Sequence, residues 1–297
     1  MKKFQTFRIA EEHQGLTVEQ YLKSILQCSG RKIQKLTRAG GVRLNKRNAY
    51  LQKKIKSGDI LDVLVLEDQF FGVKPEPGSI DILFEDPALI ILYKPAGMLV
   101  HPAGQTTGGT LANYLAEYFR ENGETITIRP LHRLDRDTTG CVVFAKDART
   151  QSELEKQLQD GRLKRKYYAV VRGRIEPPSG SVDAPIGPHP TLPNRRAVHD
   201  QGERALTHYN TIKTFENYSL LELTLETGRT HQIRVHLSSL GHPVLGDRMY
   251  GKRSSLIPRQ ALHARSVSFC HPVDGKLIEI QAPVPPDLEN LISHLSL

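Results

Sequence analysis

The chain is poor in cysteine. Its three thiols, Cys28, Cys141 and Cys270, are odd in number and far apart. No C-x-x-C pair occurs, which argues against a zinc ribbon and a disulfide framework and fits a reducing cytoplasm. The opening MKKFQTFRIAEEHQG has two lysines but no apolar stretch behind them, so it does not read as a secretory signal. No apolar run approaches the roughly 20 residues that span a bilayer. G-x-G-x-x-G and G-x-x-x-x-G-K-[ST] are both missing, so neither a dinucleotide nor a P-loop nucleotide is implied, and no cofactor is expected. H-E-x-x-H is missing too, and His231 and His236, five apart, cannot share a helix face.

What is present is positive charge. The 297 residues carry a formal net charge of +9 at a sequence pI of about 9.4. That balance suggests a polyanionic partner, nucleic acid ahead of a membrane surface. The length suits two domains. GVKPEPGSI (72–80) is punctuated by glycine and proline and carries no apolar period. We therefore expect a small basic domain over 1–71, a linker at 72–79 and a larger domain over 80–297.

In the small domain, TVEQYLKSILQC (17–28) predicts a helix capped by Thr17, with Val18, Tyr21, Leu22, Ile25 and Leu26 as its apolar stripe. SGRKIQKLTRAGG (29–41) predicts a second helix, capped by Ser29 and ended by glycine, with Ile33 and Leu36 inward. VRLN and DILDVLVL predict strands. No Asp or Glu occurs between Gly30 and Asp59. Arg31, Lys35 and Arg38 share one helix face by their i, i+4, i+7 spacing, which suits phosphate binding. This helix, strand and turn pattern resembles the small RNA-binding domain named after ribosomal protein S-four.

The large domain reads as α+β, or mixed α/β, with a largely antiparallel mixed sheet and flanking helices. Strands are predicted at 89–95, 141–147, 166–173, 205–215, 218–227, 262–269 and 276–283, and helices at 110–123 and 149–161. Strands mostly follow strands in the second half, which disfavours a doubly wound parallel sheet. The glycine-rich PAGQTTGGT (102–110) reads as a loop capping the next helix.

Within this domain HRLDRDTTG (132–140) crowds His132, Arg133, Asp135, Arg136 and Asp137 together. Arg133 and Arg136 would oppose a bound dication, which argues against a metal site. Asp135 and Asp137 are neighbours on one chain segment, whereas glycosidase carboxylates flank a bond from opposite sides. Two readings stay open. One is a single carboxylate kept ionised by arginine for nucleophilic or electrostatic work. The other is an Asp–Arg pair that fixes a turn ahead of the next strand.

HRLDRDTTG is similar to the signature of the RluA-type family of RNA pseudouridine synthases. It stands in order with LIILYKPAGMLVHP (89–102), LKRKYYAVVRG (163–173), LETGRTHQIRVHLSSLGHPVLGDRMYG (225–251) and LHARSVSFCHPVDGKLIEIQAPVPPDL (262–288), which resemble the family's other motifs. Five ordered motifs are far more specific than one.

The resemblance implies a pseudouridine synthase-like catalytic domain that isomerises uridine in RNA within a base-flipping pocket. It implies Asp135 as the catalytic residue, Tyr167 as the tyrosine that stacks on the base and acts as a general base, and Arg234 as the salt-bridge partner of Asp135. Ile233 would pack against the uracil ring. Arg133, His132 and Arg229 are expected to meet the RNA or position the loop, together with Arg31, Lys35 and Arg38 of the first domain. Asp137 is expected to pair with Arg133 or Arg136. Ribosomal RNA is the leading expected substrate, with tRNA second. The protein is expected to be a cytoplasmic monomer with no nucleotide cofactor and no membrane partner. The rivals are a catalytically inactive RNA-binding or ribosome assembly factor, and a metal-dependent RNA phosphoesterase.

Overall fold

The computed structural model describes residues 3–26, 28, 30–65 and 70–297, and only the backbone of Arg31. The chain divides into two compact units, Met1–Asp68 and Gln69–Leu297.

In the first unit β1 (Phe4–Arg8), β2 (Val42–Leu44), β3 (Arg47–Asn48) and β4 (Ile60–Leu64) form an antiparallel sheet in the order β1-β4-β2-β3. Thr17 caps α1 (Val18–Gln20) as expected. Its hydroxyl accepts from Gln20 N at 3.1 Å, and Gln20 Oε1 accepts from Thr17 N at 2.8 Å. The regular helix expected over 17–28 does not persist. From Tyr21 to Ile25 the turns widen, and Leu26 N reaches back five residues to Tyr21 O at 3.1 Å. Ser24 donates its hydroxyl to Gln20 O at 2.6 Å and competes for that carbonyl. The wider turn carries Ile25 off the stripe to the surface.

The second helix, α2 (Gly30–Arg38), buries Ile33 and Leu36 and exposes Lys35 and Arg38. The expected Ser29 cap and the Arg31 side chain lie outside the described residues. Val18, Tyr21, Leu22, Ile33, Leu36, Leu44 and Leu61 make the core. Each such aliphatic side chain, once buried, contributes about 1.5–3 kcal/mol.

The second unit begins earlier than the glycine and proline pattern suggests. The segment expected to be a linker is a strap laid on the domain. Phe71 O accepts from Ile128 N at 2.8 Å, Lys74 O from Asn113 Nδ2 at 2.7 Å, and Glu76 N donates to Asn113 O at 3.2 Å. Phe71, Val73 and Ile80 pack on the main core. Gly78 lies on the Tyr114 ring, where a Cβ would come within 2.5 Å. The strap bonds to loop and side-chain groups instead of a strand ladder, so no strand or helix period marks it.

Its sheet is built from β5 (Asp81–Glu85), β6 (Leu89–Lys94), β7 (Arg129–Pro130), β8 (Thr139–Ala145), β9 (Lys164–Arg172), β10 (Ser179–Asp183), β13 (Leu206–Thr214), β14 (Tyr218–Leu225), β15 (Leu262–Cys270) and β16 (Leu277–Gln281). The order is β10-β13-β14-β9-β15-β8-β6-β5, with β16 beside β15 and β7 beside β8. The pairings are antiparallel except β8 with β15. A separate hairpin joins β11 (Ile186–Pro188) to β12 (Arg196–Val198). The helices are α3 (Leu111–Glu121), α4 (Ala148–Gln159), α5 (Gln232–Ser239) and α6 (Pro286–His294). Thr110, at the end of the glycine-rich loop, caps α3 with Asn113. The largely antiparallel α+β architecture matches the sequence expectation.

The parallel pair places the charged motif. Gly140, which closes HRLDRDTTG, has φ +118°, and a Cβ there would stand 2.1 Å from Ala264 O. Only glycine permits that approach of β8 to β15. Leu134 is buried in the main core, so the motif is anchored at both ends.

Candidate active site

Asp135 sits in the loop between β7 and β8 and faces a cleft of about 700 Å³. Tyr167 from β9, Ile233 and Arg234 from α5, and His132, Arg133, Arg229 and His231 line the same cleft. Residues separated by a hundred positions thus share one wall.

Arg234 Nη1 donates to Asp135 Oδ2 at 2.8 Å. The rest of that guanidinium is occupied by Asp247. Nε donates to Asp247 Oδ2 at 2.6 Å and Nη2 to Asp247 Oδ1 at 2.9 Å. Asp247 is fully buried and also accepts from Met249 N and Tyr250 N. Burial alone would raise its carboxyl, but the bonds and charge of Arg234 and the two N–H groups outweigh that and hold it below the usual range. Burial likewise works against the Arg234 cation, and Asp247 and Asp135 together reverse it, raising its pKa. The fork is therefore fixed by one carboxylate and presents its remaining edge to the other.

His231 precedes α5 in a left-handed backbone conformation, φ +60°. Tyr250 Oη accepts from Arg196 N at 2.8 Å and stands 2.8 Å from His231 Nδ1. On its other side the imidazole places Nε2 3.9 Å from Asp135 Oδ1. Burial lowers the His231 pKa, against the pull of Asp135.

Lys94 holds the loop from below. It is fully buried, and its Nζ donates to Pro95 O, Met98 O and Arg136 O at 2.7, 2.8 and 2.9 Å. Burial pulls it down to about 7, opposed by the charges of Asp137 and Asp135. Arg259 and Gln260 hold the other end. Arg259 Nη1 donates to Asp137 O at 3.1 Å and Gln260 Nε2 to Thr138 Oγ1 at 3.1 Å.

Asp135, Tyr167, Arg234, Ile233, Arg133, His132 and Arg229 are all brought together by the fold. Arg133 donates to Thr230 Oγ1 at 2.9 Å, and Arg229 bonds Glu203 and Arg204 O. Lys35 and Arg38 belong to the other unit. The expected pairing of Asp137 with Arg133 or Arg136 does not form. Arg133 reaches Thr230, and Arg136, in a turn closed by Thr138 N donating to Asp135 O at 3.1 Å, donates its Nε to Gly97 O at 3.1 Å. Sequence reasoning missed Asp247, Tyr250 and Lys94, although GDRMYG and YKP lie inside motifs already quoted. Asp247 follows a glycine and reads as an ordinary turn residue.

Tyr167 is 4% exposed, and burial raises its phenol above the usual value, so it works as a neutral ring. The cleft thus joins a carboxylate, a locked guanidinium, an aromatic face and an isoleucine. That set suits a planar, uncharged ring flanked by a reacting centre. Among the described residues no three His, Cys, Asp or Glu side chains gather as metal ligands, and no helix is long and apolar enough to cross a membrane.

A family profile described as RNA pseudouridylate synthase matches residues 88–239. The chain is 42% identical to "Uncharacterized RNA pseudouridine synthase YhcT" of Bacillus subtilis, over 95% of this chain and 94% of that one. It is 40% identical to "Ribosomal large subunit pseudouridine synthase D" of Nitrosomonas europaea, over 95% of this chain and 85% of that one. Among solved structures it is similar to "Human RNA Pseudouridylate Synthase Domain Containing 1", with a TM-score of 0.59 and 27% identity over 73% of this chain and 90% of that one.

Proposed function

The chain belongs to the RNA pseudouridylate synthase family, as an RluA-type member, and on that premise we propose that it modifies ribosomal RNA with Asp135 as its catalytic group. The reaction is the isomerisation of uridine to pseudouridine within RNA. The N-glycosidic bond breaks, the uracil turns, and its carbon 5 bonds to the ribose. No electron leaves or enters and no phosphate energy is consumed, so the protein groups of the cleft suffice.

The observation that carries the assignment is the Asp135–Arg234 contact at 2.8 Å inside a cleft floored by Tyr167 and Ile233. Arg234 orients the carboxylate toward the nucleoside, and Asp247 fixes Arg234. Buried as a neutral phenol, Tyr167 is assigned to stacking on the base; burial disfavours the phenolate that general-base work would draw on. Ile233 packs against the ring. Arg133 and Arg229 meet the RNA at the rim. A paired uridine is flipped into the cleft.

The choice of ribosomal RNA is supported by relatives called "Ribosomal large subunit pseudouridine synthase D". The first unit acts as an RNA-binding domain of the S-four type, holding phosphates with Lys35 and Arg38. The enzyme works as a cytoplasmic monomer. Tritium release from carbon-5-labelled ribosomal RNA and tRNA transcripts tests the reaction and the choice of substrate. Release from ribosomal RNA alone is expected. Release from tRNA alone would move the substrate, and no release from either would leave an RNA-binding or assembly factor.

A further inference from the structure

β9 sends Arg165 and Tyr167, two residues apart, to the same strand face and into the cleft. Arg165 is 5% exposed and differs from its buried counterparts. Arg234 is paired with Asp247 and Asp135, and Arg259 with Asp287. Arg165 has no carboxylate partner among the described residues. Its Nη2 donates to Thr227 O at 3.2 Å, and its Nε is buried with no acceptor. Nη1 lies 3.0 Å from where a Cβ on Gly228 would stand, so that glycine keeps the guanidinium's flank open.

His132 adds a second unsatisfied donor beside it. Its Nε2 accepts from Val143 N at 3.4 Å, which places the ring proton on Nδ1. That Nδ1 is buried and has no partner. Burial first, and the charge of Arg165 second, push the imidazole down to about 3, so it is neutral at any working pH. One wall of the cleft therefore carries a permanent cation and an N–H donor that the protein leaves unmet. An uncompensated buried ion is costly, and such a cost persists in a site whose ligand supplies the missing partner.

The nucleobase is uncharged. The full negative charge of an RNA nucleotide sits on its phosphodiester, whose two free oxygens match the guanidinium fork. We propose that Arg165, with His132 Nδ1–H beside it, forms a receptor for the backbone phosphate adjoining the target uridine. This rests on the RNA-modifying reading above and deepens it. β9 then presents, two residues apart, a phosphate receptor and the aromatic face for the base. Arg165 fixes where along the strand the nucleotide stops, and so which base reaches Asp135.

Arg165→Met and Arg165→Lys in the full chain test this, with transcribed large-subunit ribosomal RNA as the probe. Loss of an unpaired buried charge predicts a Tm for Arg165→Met equal to or above that of the parent. RNA affinity falls about 30-fold or more. The slope of log affinity against log salt shrinks by about one. Arg165→Lys restores the slope while recovering only part of the affinity. An unchanged affinity and slope with a lowered kcat would overturn the proposal and move Arg165 to the uracil carbonyls. A Tm lowered by several degrees with an unchanged slope would overturn it as well, making Arg165 structural. Absence of pseudouridine with the parent enzyme would sink the functional reading instead, and the slope difference between parent and Arg165→Met would still report the phosphate contact.

Discussion

The two units use basic residues in opposite ways. In the first, Lys35 and Arg38 stand exposed on α2, in a stretch from residue 30 to 58 that has no carboxylate to answer them. In the second, Arg234, Arg259 and Lys94 are buried, and each is bound to carboxylates or carbonyls at hydrogen-bond distance. Exposed cations attract any phosphate within a Debye length and surrender that attraction to salt. Buried, fully bonded ones are nearly blind to salt but hold a neighbour to within a fraction of an ångström. On the proposed reading, one unit would supply affinity without geometry, and the other the geometry that affinity alone could not produce.

That contrast is broken most severely at Asp135. Asp135→Asn keeps the size and shape of the side chain, so the fold and RNA binding are expected to persist while pseudouridine formation drops to background. Tritium release together with a melting curve measures both. Substantial residual turnover would return HRLDRDTTG to the alternative of a turn fixed by charge. Asp247→Asn is the next step down. It leaves Asp135 in place but frees the guanidinium that aims it. Turnover is expected to fall by about 10²-fold with RNA affinity nearly unchanged, and stability by about 3–5 kcal/mol because Arg234 loses a buried partner. Equal losses in kcat and affinity would show that the pair does more than position.

The same contrast decides what could be read from the sequence. The antiparallel α+β architecture was legible because β6 and β9 carry apolar runs with isoleucine, valine and tyrosine, and β14 alternates Leu221, Leu223 and Leu225 on one face. The short strands β10, β11 and β12 were not, since three to five residues are too few to show a period, and glycine interrupts the first two. α5 was missed for another reason. It is buried from Gln232 to Leu237, polar side chains included, so it has no solvent face to generate an amphipathic pattern. Asp135, Tyr167 and Arg234 were reachable through the motifs that hold them. Asp247 was not, because a buried bidentate partner and a surface turn aspartate look alike until the chain is folded.

Acid sharpens the comparison further. His132 and His263 both lie in the second unit. Burial pushes them down to about 3 and about 4 from an ordinary 6.5, with Arg165 adding to the shift of His132. The folded state excludes a proton that the unfolded chain accepts. Stability is therefore whole above pH 6.5 and falls as pH drops through 6.5 toward 4, by up to about 1.4 kcal/mol per pH unit for each imidazole. Urea midpoints measured from pH 7 to pH 4.5 should show this slope. His263→Gln, which keeps a hydrogen-bonding group near Thr139 Oγ1, should remove one imidazole's share of it. A slope indifferent to that substitution would remove His263 from the acid loss and leave it to the other histidines and the carboxylates.

The gentlest test addresses the exposed cations. Lys35→Ala with Arg38→Ala removes no buried contact, so melting and the turnover of saturated enzyme are expected to stay unchanged. RNA affinity should weaken at low salt, and the slope of log affinity against log salt should shrink by about two, one for each cation. The deficit should fade as salt rises, because what is lost is a screened attraction. A loss that persists at high salt would mean that these side chains grip a defined phosphate, as Arg165 is proposed to do. The first unit would then be a second geometric site, and the division of labour between the two units would fail at that point.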